Sequence, residues 1–125
     1  FFLMLRRPPF STLFPYTTLF RSIDDILYYI EHNYARNLTL EAIAPLFGYN
    51  SSYLGKIFSK KVGENFNSYL DHVRIEHSKE LLLGNDMKVY EIAEKVGYRN
   101  VDYFHIKFKR QVGMTPAEFR RTHRQ

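Results

Sequence analysis

The chain has 125 residues, enough for one compact domain or for two very small ones that share a helix, and too few for a large enzyme core with a deep cleft. It contains no cysteine, which excludes disulfides and thiolate metal sites and fits a reducing, cytoplasmic compartment. The sequence contains no apolar run of about 18 residues, the length that would suggest a membrane span. The formal net charge is +5.

The first 22 residues, FFLMLRRPPFSTLFPYTTLFRS, differ in character from the rest of the chain. They show no helical period, and Pro8, Pro9 and Pro15 interrupt the continuous apolar core that a signal peptide would need. The part STLFPYTTLFRS resembles the in-frame translation of a common sequencing adapter. We therefore expect residues 1–22 to be a non-native or disordered segment, and the natural N-terminal region to be missing.

From Ile23 onward, the pattern predicts helices and no strands. The stretch IDDILYYIEHNYAR, residues 23–36, has the apolar spacing of an amphipathic helix. A short helix is predicted from about Thr39, a plausible N-cap, with Leu46 or Phe47 inward and with Pro45 deforming its last turn. A second helix is predicted from Asn50 to about residue 62, closed by a glycine.

The second half repeats this order. A longer helix is predicted over about 66–84, followed by a short helix in KVYEIAEKVGY and another from Asn100 to Val112. A C-terminal helix over about 116–122 begins with TPAE, in which Thr115 and Glu118 can form a capping box around Pro116.

One phrase occurs twice: GYNSSYLGKIFSKKVG at 48–63 returns as GYRNVDYFHIKFKRQVG at 97–113 with one residue inserted. Ala44 and Ala93 lie at the same distance before Gly48 and Gly97. A small side chain there lets two short helices cross closely, as in a helix-turn-helix. A generic helical hairpin would show the same apolar spacing.

Both copies of the phrase are basic. Residues 50–63 contain three lysines and no acid, and residues 97–113 contain four cations and one acid. A single such helix is typical of a solvated face. Because both copies are basic, the pattern favours a polyanion as the partner.

Residues 23–125 resemble the AraC-type (AraC/XylS) DNA-binding domain, most clearly in EIAEKVGYRNVDYFHIKFKRQVGMTPAEFR and in YLGKIFSKKVG. The wording YLGKIFSKKVGENFNSYL is also similar to the C-terminal output domain of two-component response regulators. The resemblance implies an all-α fold of about seven helices, with two homeodomain-like helix-turn-helix subdomains at about 39–63 and 88–113. A linker helix at about 66–84 joins them, and the C-terminal helix at about 116–122 follows.

The resemblance also implies a sequence-specific DNA-binding transcription regulator. A linker of roughly 18 residues is about 27 Å long, so it can hold the two second helices about one DNA turn, ~34 Å, apart in successive major grooves. The family positions imply base contacts by Ser52, Gly55, Lys56, Val101, His105 and Ile106. Phosphate contacts are expected from Asn50, Ser51, Lys60, Arg99, Asn100 and Lys109.

The two helices are not equivalent in what they offer. Lys56 can donate to guanine O6 and N7, whereas Gly55 either allows close backbone approach or weakens readout. Ile106 stands where a basic residue is common in the family, and Lys107 follows it. Either the basic role has moved by one position, or Ile106 or Val101 reads a thymine methyl.

Some residues are expected to have structural roles. The aromatic residues of the second basic helix that we expect to face inward are Tyr103, Phe104 and Phe108. Asp102 is expected to cap the helix start or to orient a neighbour. For Arg74 the alternatives are an ion pair with Asp71, Glu76 or another acid, and contact with a phosphate.

No enzyme site is predicted. The five histidines do not form a metal-binding pair, and the sequence has no HExxH motif, phosphate-binding glycine loop or nucleophile elbow. We expect no cofactor and no metal. The rival hypothesis is a helical protein-interaction module with only non-specific nucleic-acid affinity.

The expected partner is double-stranded DNA, with RNA polymerase as a second partner and no membrane contact. Dimerisation is expected through the missing N-terminal domain. If residues 1–22 are instead a genuine arm, Arg6 and Arg7 would touch DNA.

Overall fold

The computed structural model describes residues 22–124, and the predictions for residues 1–21 lie outside them. This part contains seven α-helices and no strand, which confirms the all-α prediction. The helices are α1 (Ile23–Glu31), α2 (Leu40–Ile43), α3 (Ser51–Val62), α4 (Phe66–Gly84), α5 (Val89–Lys95), α6 (Val101–Val112) and α7 (Pro116–His123).

Several helices begin or end where the sequence predicted a capping residue or a proline. The Thr39 hydroxyl accepts a hydrogen bond from the backbone N–H of Ala42 at 3.1 Å and begins α2. Pro45 follows, and the chain from Ala44 to Phe47 is a 3-10 turn instead of a further α-helical turn. Thr115 and Glu118 form the predicted capping box at the start of α7.

One local prediction was wrong. Helix α1 ends at Glu31, well before residue 36. The Asn33 side chain donates to the carbonyl of Tyr29 at 2.8 Å, and the backbone N–H of Asn33 bonds to the carbonyl of Ile30 at 3.1 Å. In a longer helix, that backbone N–H would bond to Tyr29.

The sequence left open whether Leu46 or Phe47 faces inward. In the 3-10 turn, Phe47 is buried and Leu46 is 61% exposed. The tighter turn therefore directs only one of these two side chains into the core.

Two hydrophobic cores lie along the chain. The first is formed by α1, α2, α3 and the first half of α4, and its fully buried residues include Ile26, Ile30, Leu54 and Phe58. The second is formed by the second half of α4 with α5, α6 and α7, and it includes Ile75, Leu82, Ile92, Phe104 and Phe108. Each core thus carries one copy of the repeated helix pair.

Helix α4 serves both cores with different faces. Phe66, Leu70 and Val73 pack in the first core, whereas Ile75 and Leu82 pack in the second. Val73 and Ile75 are two residues apart and therefore point about 200° apart around the helix axis. With 19 residues, α4 is about 28 Å long, and it forms a continuous rod between the two helix pairs.

Candidate nucleic-acid interface

Helices α3 and α6 begin and end in the same way. The Asn50 side-chain oxygen accepts from the backbone N–H groups of Ser52 and Tyr53 at 2.9 and 3.2 Å. Asn100 does the same for Asp102 and Tyr103 at 2.8 and 3.1 Å. Each helix has 12 residues and ends at a glycine with positive φ.

These matched caps align the two copies residue by residue, and they locate the insertion. The inserted residue is Arg99, which lies in the turn before α6 and is exposed. The same caps use the side-chain oxygens of Asn50 and Asn100, and the N–H₂ group of each amide is not part of the cap. The role predicted for Asp102, capping the helix start, belongs instead to Asn100.

The outer face of α3 presents polar and basic side chains. Ser52, Lys56 and Lys60 are exposed, and Ser51 is half-buried at the first position of the helix. No acidic residue lies in α3. The N-terminal amides and the lysines therefore give this face a positive potential.

Gly55 has a packing role that the sequence did not indicate. A Cβ added there would lie 3.3 Å from Cδ1 of Leu40, which is in α2. The glycine therefore lets α2 and α3 approach closely, in the way that Ala44 was expected to do. Its contact with a base stays a prediction.

The outer face of α6 is more apolar at its centre than the outer face of α3. Ile106 is 55% exposed, and Lys109 is exposed one turn further on. Val101, however, is half-buried and packs against the second core, so less of it is presented than the sequence suggested.

His105 is half-buried, and its Nδ1 lies 2.9 Å from the carbonyl oxygen of Val101. A carbonyl can only accept, so Nδ1 carries the hydrogen. In the neutral ring, Nε2 is then an acceptor.

Tyr103 was predicted to face inward, and this was wrong. Its side chain is 47% exposed, and the equivalent Tyr53 in α3 is 56% exposed. Both rings lie beside the tyrosine that precedes the helix, with centroids 5.9 Å apart in each pair. In the second helix pair, the core position is filled by Tyr98 and Phe104 instead.

Tyr53 and Tyr103 are functional candidates that the sequence analysis missed, because each presents a hydroxyl at the start of a basic helix. The available signal was the repeat itself, which places a tyrosine at the same position in both copies.

Lys107 does not belong to the exposed face of α6. Its Nζ lies 3.4 Å from a carboxylate oxygen of Asp71 in α4 and 5.2 Å from the centre of the Tyr103 ring. The first alternative for this helix, a basic role moved from position 106 to 107, is therefore not supported. Ile106 remains the side chain presented at the centre of the face.

Arg74 has the expected structural role, but with other partners. Its Nε and one Nη donate to the backbone carbonyls of Tyr34 and Arg36, both at 2.8 Å, and its guanidinium lies 5.3 Å from the centre of the Tyr98 ring. Burial lowers the pKa of Arg74, while nearby Tyr98 and Asp71 act in the opposite direction. The guanidinium remains charged, and two of its nitrogen atoms donate to backbone carbonyls of the protein.

Two further features are absent from residues 22–124. These residues contain no group of three or more histidine, cysteine, aspartate or glutamate side chains placed to hold a metal ion. None of the helices described here has both the length and the apolarity needed to cross a membrane.

Comparison with known proteins places this arrangement in a family. The sequence model of a helix-turn-helix domain matches residues 43–122. The HTH-type transcriptional regulator YijO of Escherichia coli is 41% identical over 103 residues, which are 82% of this chain and 35% of that protein.

Two solved structures have the same fold. The C-terminal domain of the two-component response regulator yesN from Fusobacterium nucleatum is 40% identical, with a TM-score of 0.73, over 76% of this chain and 93% of that one. The DNA-binding domain of AdpA, a global transcriptional factor solved with a target DNA, is 21% identical with a TM-score of 0.76, over 80% of this chain and 90% of that one. At this identity AdpA supports the fold alone.

The chain spans only part of its curated relatives, 35%, 13% and 24% of the length of three of them. The family match, in contrast, runs from α2 through α7 and covers both basic helices and the helix between them. The chain therefore belongs to the AraC-type helix-turn-helix family.

Proposed function

We propose that this chain is the DNA-binding part of a transcription regulator, and that it binds duplex DNA by placing α3 and α6 in successive major grooves. The observation that carries the proposal is the matched pair of helices. Each is basic, has 12 residues, is capped by an asparagine and rests on its own core. The rod formed by α4 provides a separation suited to about one turn of DNA, ~34 Å.

The two helices offer different chemistry to the bases. Lys56 is exposed near the start of α3 and can donate to guanine O6 and N7. Ile106 is an apolar group suited to a thymine methyl. The free acceptor of His105 suits the exocyclic amino group of adenine or cytosine. We infer that α3 selects for guanine, and that α6 selects by shape and apolar contact.

Phosphate contacts surround these base contacts. Lys60, Arg99 and Lys109 are exposed cations suited to phosphates, and the amide groups of Asn50 and Asn100 lie at the helix starts with the Ser51 hydroxyl. The hydroxyls of the exposed residues Tyr53 and Tyr103 join this set. Such contacts fix the position of the protein on the duplex.

The likeness to response-regulator C-terminal domains supports a place in a larger regulator. We propose that this chain is an output domain, that a separate domain of the full protein receives the signal and controls dimerisation, and that RNA polymerase is a partner of the bound complex. A cytoplasmic protein fits this role. The rival function, a protein-interaction module, would leave the basic faces without a specific ligand.

Salt-dependent binding tests the proposal. With at least three cations on phosphates, the logarithm of the association constant should fall against the logarithm of the salt concentration with a slope of about −3 or steeper. Lys56→Ala should weaken binding to a selected site by about tenfold or more relative to a random duplex. The matched control Lys61→Ala should weaken binding to both duplexes equally. An association constant that does not change with salt concentration would contradict the proposal. So would a Lys56→Ala variant that, like the control, loses affinity equally for both duplexes.

A further inference from the structure

A polar contact joins the second helix pair to the first half of α4. Asp71 lies between Leu70 and Val73, which are buried in the first core. Its carboxylate accepts a hydrogen bond from the Tyr98 hydroxyl at 2.6 Å and pairs with Lys107 Nζ at 3.4 Å. A side chain from the first half of the linker helix α4 thus binds two residues of the second helix pair.

Arg74 makes the same connection from the next turn of α4. Its two hydrogen bonds go to carbonyls in the segment between α1 and α2, whereas its guanidinium lies over the Tyr98 ring. Tyr98 is therefore held by Asp71 at its hydroxyl and by Arg74 at its face. Burial, followed by the hydrogen bond to Asp71, raises the pKa of Tyr98, so its hydroxyl stays protonated and keeps donating.

The internal repeat sets Lys107 apart from its counterpart in α3. Its equivalent in α3 is Ile57, which packs against the first core. In α6 the same inward position carries a lysine whose side chain is 24% exposed, paired with an aspartate whose side chain is 18% exposed. Because both side chains are partly buried, solvent and salt screen this ion pair less than an exposed one.

We propose that Asp71, Arg74, Tyr98 and Lys107 form a junction lock that fixes α6 relative to α3 and thereby sets the base-pair spacing that the protein accepts between its two contact blocks. This inference rests on the proposed function. One added base pair rotates the second block by about 35° and moves it by about 3.4 Å. Two rigidly joined helices cannot follow that change, whereas two loosely joined ones can.

The test uses duplexes in which the preferred site carries one or two base pairs inserted or removed between the blocks. Competition binding compares the wild-type chain with Tyr98→Phe, which removes one oxygen, and with Lys107→Met, which removes the ion pair and keeps an unbranched side chain. Lys95→Met on the exposed side of α5 is the control for loss of one positive charge.

The wild-type chain and the control should lose about tenfold or more in affinity when the spacing changes by one base pair, a difference of about 1.4 kcal/mol. In both junction variants, we expect this loss to shrink to about threefold or less. Because Tyr98→Phe keeps the ring in the core, it tests the proposal even if Lys107→Met fails to fold.

Two results would overturn the lock while leaving DNA binding in place. In the first, the variants keep the sharp spacing preference of the wild type. In the second, the wild type tolerates every spacing. A variant that only loses affinity equally on all duplexes also counts against the lock. If the wild-type chain prefers no duplex at all, the proposed function itself fails.

Discussion

Gly97→Ala is the substitution that most directly probes the contact between the two halves of the protein. Gly97 has φ of +112°, in a region that L residues rarely adopt. A Cβ there would lie 2.8 Å from Arg74 Nε and 3.0 Å from the carbonyl oxygen of Tyr34. The new methyl group would therefore collide with both members of one hydrogen bond.

The expected cost has two parts. The backbone conformation costs an alanine about 1–2 kcal/mol. The collision adds about 1–3 kcal/mol, because Arg74 can move aside only by giving up its charged hydrogen bond to Tyr34, and otherwise the backbone must shift. The variant should lose about 2–5 kcal/mol of the free energy of unfolding.

Gly113→Ala is the matched control. Gly113 ends α6 with φ of +96°, and a Cβ there meets nothing within 4 Å. The Gly113→Ala variant should lose only the part of the free energy of unfolding that comes from the backbone conformation, about 1–2 kcal/mol. The difference between the two variants therefore measures the collision at the junction.

Urea unfolding followed by circular dichroism gives both free energies, provided that the slopes against urea concentration agree with that of the wild type. If Gly97→Ala loses no more than Gly113→Ala, the close packing of Arg74 and Tyr34 around Gly97 is refuted.

Three further outcomes follow from the structure. Phe104→Ala, at a fully buried position, should lose about 3–5 kcal/mol in urea unfolding, whereas Tyr103→Ala should lose much less because its ring is half exposed. Ile106→Ala should change base preference at one position in a binding-site selection and leave the salt slope unchanged, since it removes no charge. Hydrogen bonds from the backbone and hydroxyl of Thr115 lower the pKa of Glu118 below its ordinary value of 4.5. The stability that Glu118 contributes is therefore present above pH 4.5 and lost as the pH falls through the lower folded value. The melting temperature of Glu118→Gln should accordingly approach that of the wild type in acid.

The local features of this fold could be predicted from the sequence because neighbouring residues determine them. Asn50 and Asn100 cap the helices that follow them, and Thr115 forms its capping box with Glu118. The apolar spacing of α6 also identified Phe104 and Phe108 as core residues. These signals need only a few residues of sequence.

The contacts between the two halves could not be predicted in the same way. Arg74 binds carbonyls at Tyr34 and Arg36, far away in the sequence, and backbone acceptors leave no trace in residue identity. Lys107 stood out as unusual, but its partner Asp71 lies in another helix. Tyr103 was assigned inward because spacing alone does not show that Tyr98 already fills the core.

The central claim is that one chain reads two blocks of DNA with two helices. Selection of binding sites from a random duplex pool, performed with this chain, tests it most directly. The account predicts two short enriched blocks whose centres lie about 10 base pairs apart. One block should contain guanine, and the Lys56→Ala variant should no longer select that guanine. A single enriched block, or no enrichment over the starting pool, would contradict it.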